Sequence, residues 1–126
     1  MPRVPLIALL AAAATAVAAA PASADTVTCA PGQYLLLRGE NPRITDLRAH
    51  NLPPRTDGYA PRCLVAEAIA AEIQRKLQDG KKAPHTVSTY GAQWSSGRWK
   101  CRYPTQDRAS CKKKKRPKQR ITMRLV

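Results

Sequence analysis

The first 24 residues constrain this chain most, because they decide the compartment in which the remainder folds. A short basic start, Met1-Pro2-Arg3, precedes an apolar run from Val4 to Ala20 that consists mainly of alanine and leucine. Ala22-Ser23-Ala24 then places small residues at the positions that a signal peptidase reads. The pattern predicts a secretory signal peptide cleaved after Ala24. We expect no stable transmembrane anchor, because the run is shorter and less apolar than the ~20 residues of a spanning helix.

Cleavage would leave residues 25–126 as one secreted domain, extracellular or associated with the cell wall. All four cysteines lie in this part, at positions 29, 63, 101 and 111. In an exported chain of this size an even number of cysteines predicts two disulfides, with three possible pairings. A zinc site would show a close pair such as C-x2-C, and neither that spacing nor a ligand-like spacing of His50 and His85 occurs. We therefore expect no metal and no cofactor.

Apolar side chains recur every four residues between Arg62 and Gln78, which predicts one amphipathic helix. The apolar stripe consists of Val65, Ile69, Ile73 and Leu77, widened by Ala66 and Ala70, and the opposite face carries Glu67, Gln74, Arg75 and Gln78.

The two ends of this helix are also marked in the sequence. Cys63 falls in the first turn at the edge of the stripe, where it can staple the helix to the element beneath it. Glu72 and Lys76 have the i, i+4 spacing of an ion pair, and Asp79-Gly80 predicts the end of the helix.

The rest of the core, residues 44–126, alternates with a period of two. Trp99, Cys101 and Tyr103 face one way, while Ile121, Met123 and Leu125 do the same in the last segment. Strands are predicted at 44–50, around 99–103, at 108–112 and over the final residues, with a turn at 104–107, a loop at 51–61 and a polar connection at 81–97. One helix packed on a small antiparallel sheet, an α+β fold stapled by disulfides, accounts for this pattern.

Residues 25–43 are predicted to be an irregular N-terminal segment. Within it, Tyr34 to Leu37 is compatible with a strand or a short buried turn of helix.

The disulfide pairing stays open at this point. Cys101 and Cys111 would face each other across a hairpin, but bonds between directly adjacent strands tend to be strained. The favoured pairing joins Cys63 to one of these two cysteines and Cys29 to the other.

The basic run from Lys112 to Arg120 is the first candidate for function. Its cations are Lys112, Lys113, Lys114, Lys115, Arg116, Lys118 and Arg120. Crowded like charges repel one another, and a polyanion relieves that repulsion while it releases its own counterions. The hypothesis is an anion-binding hairpin whose partner is a cell-wall polymer, a lipid headgroup or nucleic acid. The alternative is a solvated loop whose charge only maintains solubility.

Aromatic residues near the run form a second candidate. Trp94, Trp99 and Tyr103 lie beside cations and resemble a stacking platform for bases. The alternation, however, predicts that Trp99 and Tyr103 lie in the core and leaves Trp94, in a Gly- and Ser-rich loop, as the surface aromatic.

Acid–base chemistry is a third candidate. His50 and His85, with Glu40 or Glu67, are the residue types of a small secreted ribonuclease. Nothing in their spacing marks a site, so no catalytic residues are assigned and we do not expect an enzyme.

The order of these elements resembles a group of small secreted bacterial proteins of unknown function. The resemblance rests on a cysteine that begins an Ala-rich helix (Cys63 to Ala70), the strand Trp99-Lys100-Cys101, and Ser110-Cys111 followed by a basic turn and a terminal strand. It covers residues 44–126 and implies a fold and a secreted location, with no activity and no functional residues. Cys29 departs from the three-cysteine pattern of that group.

These features predict a secreted, basic, disulfide-stabilised binding domain that engages an anionic partner. The alternative is a secreted inhibitor or protein-interaction module that presents the 81–97 loop to another secreted protein. A small secreted nuclease is a weaker third hypothesis. The patterns specify no oligomeric state.

Overall fold

In the residues that the structure describes, six antiparallel strands form one sheet and one helix packs against one of its faces. This computed structural model describes residues 26–55, 60–89 and 97–126. The α+β fold expected from the sequence is therefore confirmed, while the predicted signal peptide lies outside the described residues. The elements are β1 (Thr26–Cys29), β2 (Ile44–His50), α1 (Arg62–Gln78), β3 (Thr86–Thr89), β4 (Gly97–Thr105), β5 (Arg108–Lys113) and β6 (Arg116–Leu125). The strand order across the sheet is β1-β2-β6-β5-β4-β3.

Helix α1 has the bounds that its apolar period predicts, and its end shows why it stops. Gly80 adopts a φ of +75°, a left-handed conformation that favours glycine. The N–H of Gly80 donates to the carbonyl of Leu77, and the N–H of Lys81 donates to the carbonyl of Lys76. This pair of bonds is the Schellman motif, which satisfies carbonyls that the helix itself leaves without a donor.

The core lies between α1 and the face of the sheet that the helix covers. Alternation along each strand sends apolar side chains to this face, where Trp99, Leu47, Ile69, Ile73 and Ile121 have no measurable exposure. The predicted core position of Trp99 is thus confirmed. Tyr103 is half-buried at the margin of the core, and its hydroxyl donates to the carbonyl of Pro84 at 2.6 Å.

Two strands fall where the sequence predicted irregular chain. β1 occupies part of the 25–43 segment, and β3 occupies part of the 81–97 connection. Each has four residues and forms an edge of the sheet. A four-residue strand spans barely two periods of alternation, which is too few to distinguish it from a loop.

Tyr34 to Leu37 forms neither a strand nor a helical turn, contrary to the prediction. Leu35 has a φ of +59° and is 83% exposed, whereas Leu37 packs against the core. The segment between β1 and β2 instead follows an irregular path, which side chains of α1 hold in place.

Glu67 and Gln74 provide that attachment, and their expected place on the solvent face of the helix is wrong. Both are buried. The Glu67 carboxylate accepts hydrogen bonds from the N–H groups of Tyr34 and Leu36, the latter at 2.9 Å. Gln74 accepts from the N–H of Arg38 at 2.8 Å and donates to the carbonyl of Pro42 at 2.9 Å. The polar face of the helix thus satisfies the backbone of a loop that has no strand partner.

The ion pair predicted between Glu72 and Lys76 is replaced by an ion pair with a residue closer in sequence. The Glu72 carboxylate instead pairs with Arg75, three residues along the helix, at 2.6 Å. Spacings of three and four residues both bring side chains together on a helix surface, so sequence alone did not choose between them.

Both disulfides form, but the favoured pairing is wrong. Cys29 bonds Cys63, and Cys101 bonds Cys111. Cys101 and Cys111 lie directly opposite each other in the β4–β5 register. The N–H of Cys101 donates to the carbonyl of His85, away from β5. The two cysteines are therefore a non-hydrogen-bonded pair, the type in which facing Cα atoms approach most closely, and here those atoms are 4.0 Å apart.

The Cys29–Cys63 disulfide attaches the helix to the edge strand of the sheet. Cys63 therefore staples the helix as predicted, although to a different cysteine from the favoured ones. Cys29 is the last residue of β1, and Cys63 lies in the first turn of α1. The disulfide bonds are compatible with a secreted protein. Over the described ranges, none of the helical structure has the length and apolar character needed to cross a membrane.

Removing the Glu67 carboxylate should release the segment between β1 and β2. We expect Glu67→Ala to lower the free energy of unfolding by about 2–4 kcal/mol, because two N–H groups lose their acceptor. Amide hydrogen exchange should then accelerate at Tyr34 and Leu36. Glu72→Ala serves as the control on the same helix and should leave exchange at these two amides unchanged. Equal acceleration in both variants would contradict this role of Glu67.

The two disulfides should differ in their effect on stability. Cys29 and Cys63 are 34 residues apart, while Cys101 and Cys111 are 10 apart. Loop entropy then gives about 3.8 kcal/mol for the first bond and about 2.7 kcal/mol for the second. We expect the Cys29→Ala/Cys63→Ala pair to cost more than Cys101→Ala/Cys111→Ala in urea unfolding. The reverse order would show that native packing, rather than loop length, sets the effect.

Candidate anion-binding face

The second face of the sheet is not covered by the helix, and it is strongly basic. Side chains alternate along β4, β5 and β6, so each buried residue is followed by one on the open face. The cations on this face are Arg48, Arg98, Lys100, Arg102, Arg108, Lys112, Arg120 and Arg124. We call this surface the basic face. Its positive charge extends over several strands, so it could bind an anion that carries more than one charged group.

One row of residues crosses all six strands on this face. From one edge of the sheet to the other, each member of the row lies directly opposite the next member on the neighbouring strand. In this order the members are Thr86, Lys100, Lys112, Arg120, His50 and Thr26. Three cations, Lys100, Lys112 and Arg120, are therefore direct cross-strand neighbours. Like charges in directly opposed positions destabilise a sheet. We refer to these three residues as the cationic row.

Acidic residues neutralise only the margin of the basic face in the described part of the chain. Asp46 pairs with Arg48, with 3.0 Å between its Oδ1 atom and the Nε atom of the guanidinium. Asp107 pairs with Arg124 at 3.5 Å, also through Nε. Arg124 and Arg108 in turn hold the pKa of Asp107 low, in addition to a larger effect from the Thr105 hydroxyl that donates to it.

His50 lies at the end of the cationic row and is held on both sides. Its Nε2 atom is 2.8 Å from Oγ1 of Thr122, and its Nδ1 atom is 3.1 Å from Oγ1 of Thr26. Partial burial lowers the pKa of His50, and the positive charges of Arg120 and Arg48 lower it further. An anion bound beside the ring would act in the opposite direction.

The structure divides the predicted anion-binding residues among three places. Lys112 and Arg120 lie on the basic face as members of the cationic row. Lys114 and Lys115 form the two-residue turn between β5 and β6, and Arg116 and Lys118 are exposed next to it. The carbonyl of Lys118 accepts a hydrogen bond from the Asn51 side chain at 3.0 Å.

Lys113 does not join the others. It is 7% exposed and points to the covered face, beside Gly97. Alternation explains this placement, because Lys113 has the parity of Cys111 and Ala109. The run of cations is continuous in sequence but is split between the two faces of the sheet.

The predicted run 112–120 contains only a small part of the basic face. The missed cations are Arg48, Arg98, Lys100, Arg102, Arg108 and Arg124. The signal was present, since Lys100 and Arg102 alternate with Trp99, Cys101 and Tyr103. What the sequence did not show is which strands are neighbours, and so which cations meet.

The aromatic and acid–base candidates do not assemble on this face. Trp99 and Tyr103 serve the core, and Trp94 lies outside the described residues. His50 on β2 and His85 beside β3 are separated by four strand spacings, about 19 Å. Glu67 is committed to the loop backbone, and Glu40 pairs with Arg43 at 3.7 Å. No single phosphate group could contact both histidines.

Within residues 26–55, 60–89 and 97–126, the histidine, cysteine, aspartate and glutamate side chains form no group of three or more that could hold a metal ion.

No family model matches the chain, and neither a curated protein nor a solved structure resembles it significantly. The resemblance to small secreted bacterial proteins therefore stays a prediction.

Neutralising the middle of the cationic row should stabilise the fold. Lys112 has Lys100 on one side and Arg120 on the other. We expect Lys112→Gln to raise the free energy of unfolding by about 0.5 kcal/mol at low ionic strength. The gain should shrink in ~1 M NaCl, where screening is effective within ~3 Å. A gain that persists at high salt would mean that packing, not charge repulsion, explains the change.

Proposed function

We propose that this protein is an exported, disulfide-stapled domain that binds an anionic polymer across the open face of its sheet. The observation that carries the proposal is the cationic row, in which Lys100, Lys112 and Arg120 face one another on adjacent strands. Such an arrangement works against folding and needs a compensating role. A polyanion laid along the row would remove the repulsion and release counterions.

Export is supported by the pattern of residues 1–24 together with the two disulfides. Disulfides persist in oxidising compartments, and they suit a small domain with a limited core. The formal net charge of +14 fits a chain whose partners outside the cell are anionic polymers.

A polymer fits the basic face better than a membrane surface does. Proteins that lie on a bilayer combine cations with apolar side chains that enter the interface. The large exposed apolar residues among those described are Leu35 and Val126. Leu35 belongs to the loop that Glu67 holds on the helix side, and Val126 is a single side chain just after the end of β6, so together they give the basic face no apolar patch that could enter a bilayer interface.

The turn at Lys114 and Lys115 has a supporting role in this proposal. Its side chains are exposed and stand at one end of the β5–β6 hairpin. Exposed charges beside a binding surface mainly accelerate encounter and are easily screened. In this proposal the basic face determines where the polymer binds, and the cations of the turn attract the polymer from a distance.

Two triple variants with the same loss of charge test this division. The first variant removes all three charges of the cationic row and is Lys100→Gln/Lys112→Gln/Arg120→Gln. The second variant removes three charges at the turn and is Lys114→Gln/Lys115→Gln/Arg116→Gln. We expect the first variant to weaken binding of both long-chain polyphosphate and poly-L-glutamate by about 100-fold or more, since three charge-assisted contacts are lost. It should also reduce the slope of log K against log salt by about 2–3.

The turn variant is the matched control and should retain affinity within about tenfold. Calorimetric titration at several salt concentrations measures both quantities. Equal weakening by the two variants would show that net charge alone drives binding, and the proposed site on the basic face would then be wrong.

A further inference from the structure

A shallow hollow opens on the basic face where β2, β6 and β5 lie side by side. It encloses about 260 Å³. Its charged and polar lining consists of four arginines (Arg48, Arg108, Arg120 and Arg124), the carboxylate of Asp46, the imidazole of His50, and the hydroxyls of Ser110 and Thr122. Four arginines, two hydroxyls, an imidazole and one carboxylate thus surround a space about as large as one small anion with its nearest waters.

We infer that this hollow is a subsite for a single phosphate group, and that the polymer recognised by the basic face is a phosphate polymer. The inference rests on the proposed function, because it names the class of anion that the same face selects. Of the three residues that form the cationic row, Arg120 also lines the hollow, whereas Lys100 and Lys112 do not.

The register of the sheet brings the lining residues together. Ser110 faces Thr122 across β5 and β6, and Thr122 faces Arg48 across β6 and β2. Arg108 faces Arg124 one step further along the same strands. The two half-buried hydroxyls therefore form a polar floor, and the guanidinium groups of the four lining arginines stand around it.

Two of the lining arginines, Arg48 and Arg124, are held by contacts at Nε, which leaves their terminal nitrogens available to donate. Asp46 accepts from Nε of Arg48, and Asp107 pairs with Nε of Arg124. Contacts at Nε fix the orientation of a guanidinium while its terminal nitrogens can still donate to a bound oxyanion. Arginine is the residue best suited to such forked recognition of phosphate.

The shape of the hollow favours phosphate over carboxylate. A carboxylate presents two oxygens in one plane, which a single arginine can satisfy. A tetrahedral phosphate presents oxygens in several directions, so it can accept from the floor and from the surrounding arginines at once. Hydroxyl donors placed beneath arginines add nothing for a planar anion that already has a forked partner.

His50 acts as a positioning residue for the floor. Its ring bridges Thr122 and Thr26 through its two nitrogens. When the ring is protonated, both nitrogens donate, so the hydroxyl of Thr122 has its own hydrogen free to donate into the hollow. Protonation of His50 thereby adds a donor for the anion as well as a positive charge.

The charged groups around His50 give the sign of the pH dependence. Arg48 shares its strand, Arg120 faces it from β6, and the hollows that it lines also contain Asp46, Lys118, Arg108 and Arg124. Partial burial, together with the positive charges of Arg120 and Arg48, keeps the pKa of His50 low in the free protein. A bound phosphate raises that pKa, so affinity increases as pH falls through the interval between the two values and is constant above it.

The first test asks whether removing the Thr122 hydroxyl weakens the binding of a phosphate polymer more than the binding of a carboxylate polymer. We expect Thr122→Val, which preserves shape, to weaken binding of long-chain polyphosphate about tenfold while poly-L-glutamate binding changes by less than about twofold. Thr28→Val is the matched control, since Thr28 lies on the same face at the edge strand and does not line the hollow. It should leave both affinities unchanged.

The second test uses pH. Wild-type affinity for polyphosphate should rise about threefold to tenfold between pH 7.5 and pH 5, and His50→Gln should remove that rise. Comparing the two proteins cancels any titration of the ligand. Vesicles that contain phosphatidylglycerol form a further arm, in which weaker binding than to polyphosphate supports a polymer and equal or tighter binding overturns it.

The outcomes separate this inference from the proposal beneath it. If Thr122→Val weakens both polymers equally, or if His50→Gln keeps the pH slope, the phosphate subsite is wrong while the cationic row stands. If the row variant itself leaves binding of both polymers intact, the proposed function fails regardless of the result at Thr122.

Discussion

One helix can cover only one face of a six-stranded sheet, and the rest of this structure depends on that constraint. Side chains alternate along each strand, so every residue that packs under α1 fixes its neighbour on the uncovered side. Trp99, Cys101 and Ile121 are buried, and therefore Lys100, Arg102 and Arg120 are not. The basic face is the necessary complement of the core, and its charge is arranged by the same register that packs the apolar side chains. A shift of one residue in any pairing would exchange the two sets.

A sheet with a single layer above it buries little apolar area, and local bonds compensate. The Cys101–Cys111 bond locks the register of β4 on β5, the pairing that aligns Lys100 with Lys112. The Cys29–Cys63 bond attaches the edge strand to the first turn of the helix. Glu67 and Gln74 then hold the loop between β1 and β2 through its backbone. These connections maintain a fold in which like charges face one another, and they explain why a surface that opposes folding is tolerated.

How far the sequence could be interpreted depended on how many periods each element offered. Seventeen residues with four apolar repeats were enough to place α1 at its observed bounds, and the alternation around Trp99 was enough to place β4. β1 and β3 have four residues each, which is too few for their alternation to be distinguished from the irregular pattern of a loop. The cysteine pairing was missed because it depends on a register that the strands set together. The site was predicted in part for a related reason. Lys112 and Arg120 were included because they are close in sequence, whereas Arg48 and Lys100 join them only through strand order.

The division between a continuous basic run and a basic face has a physical consequence for any anionic partner. Cations at the β5–β6 turn are fully solvated, so each contributes weakly and loses most of its effect at moderate salt. Cations on the face are held by the sheet at spacings of about 4.8 Å across strands and about 6.8 Å along them. A fixed lattice of this kind discriminates between anions by the separation of their charges, because a polymer whose spacing does not match cannot occupy successive cations without strain. Under the proposed function, selectivity would therefore depend on the spacing and geometry of the partner's charges more than on their number, and the hollow beside His50 is the point where the proposed subsite would define a single anionic group.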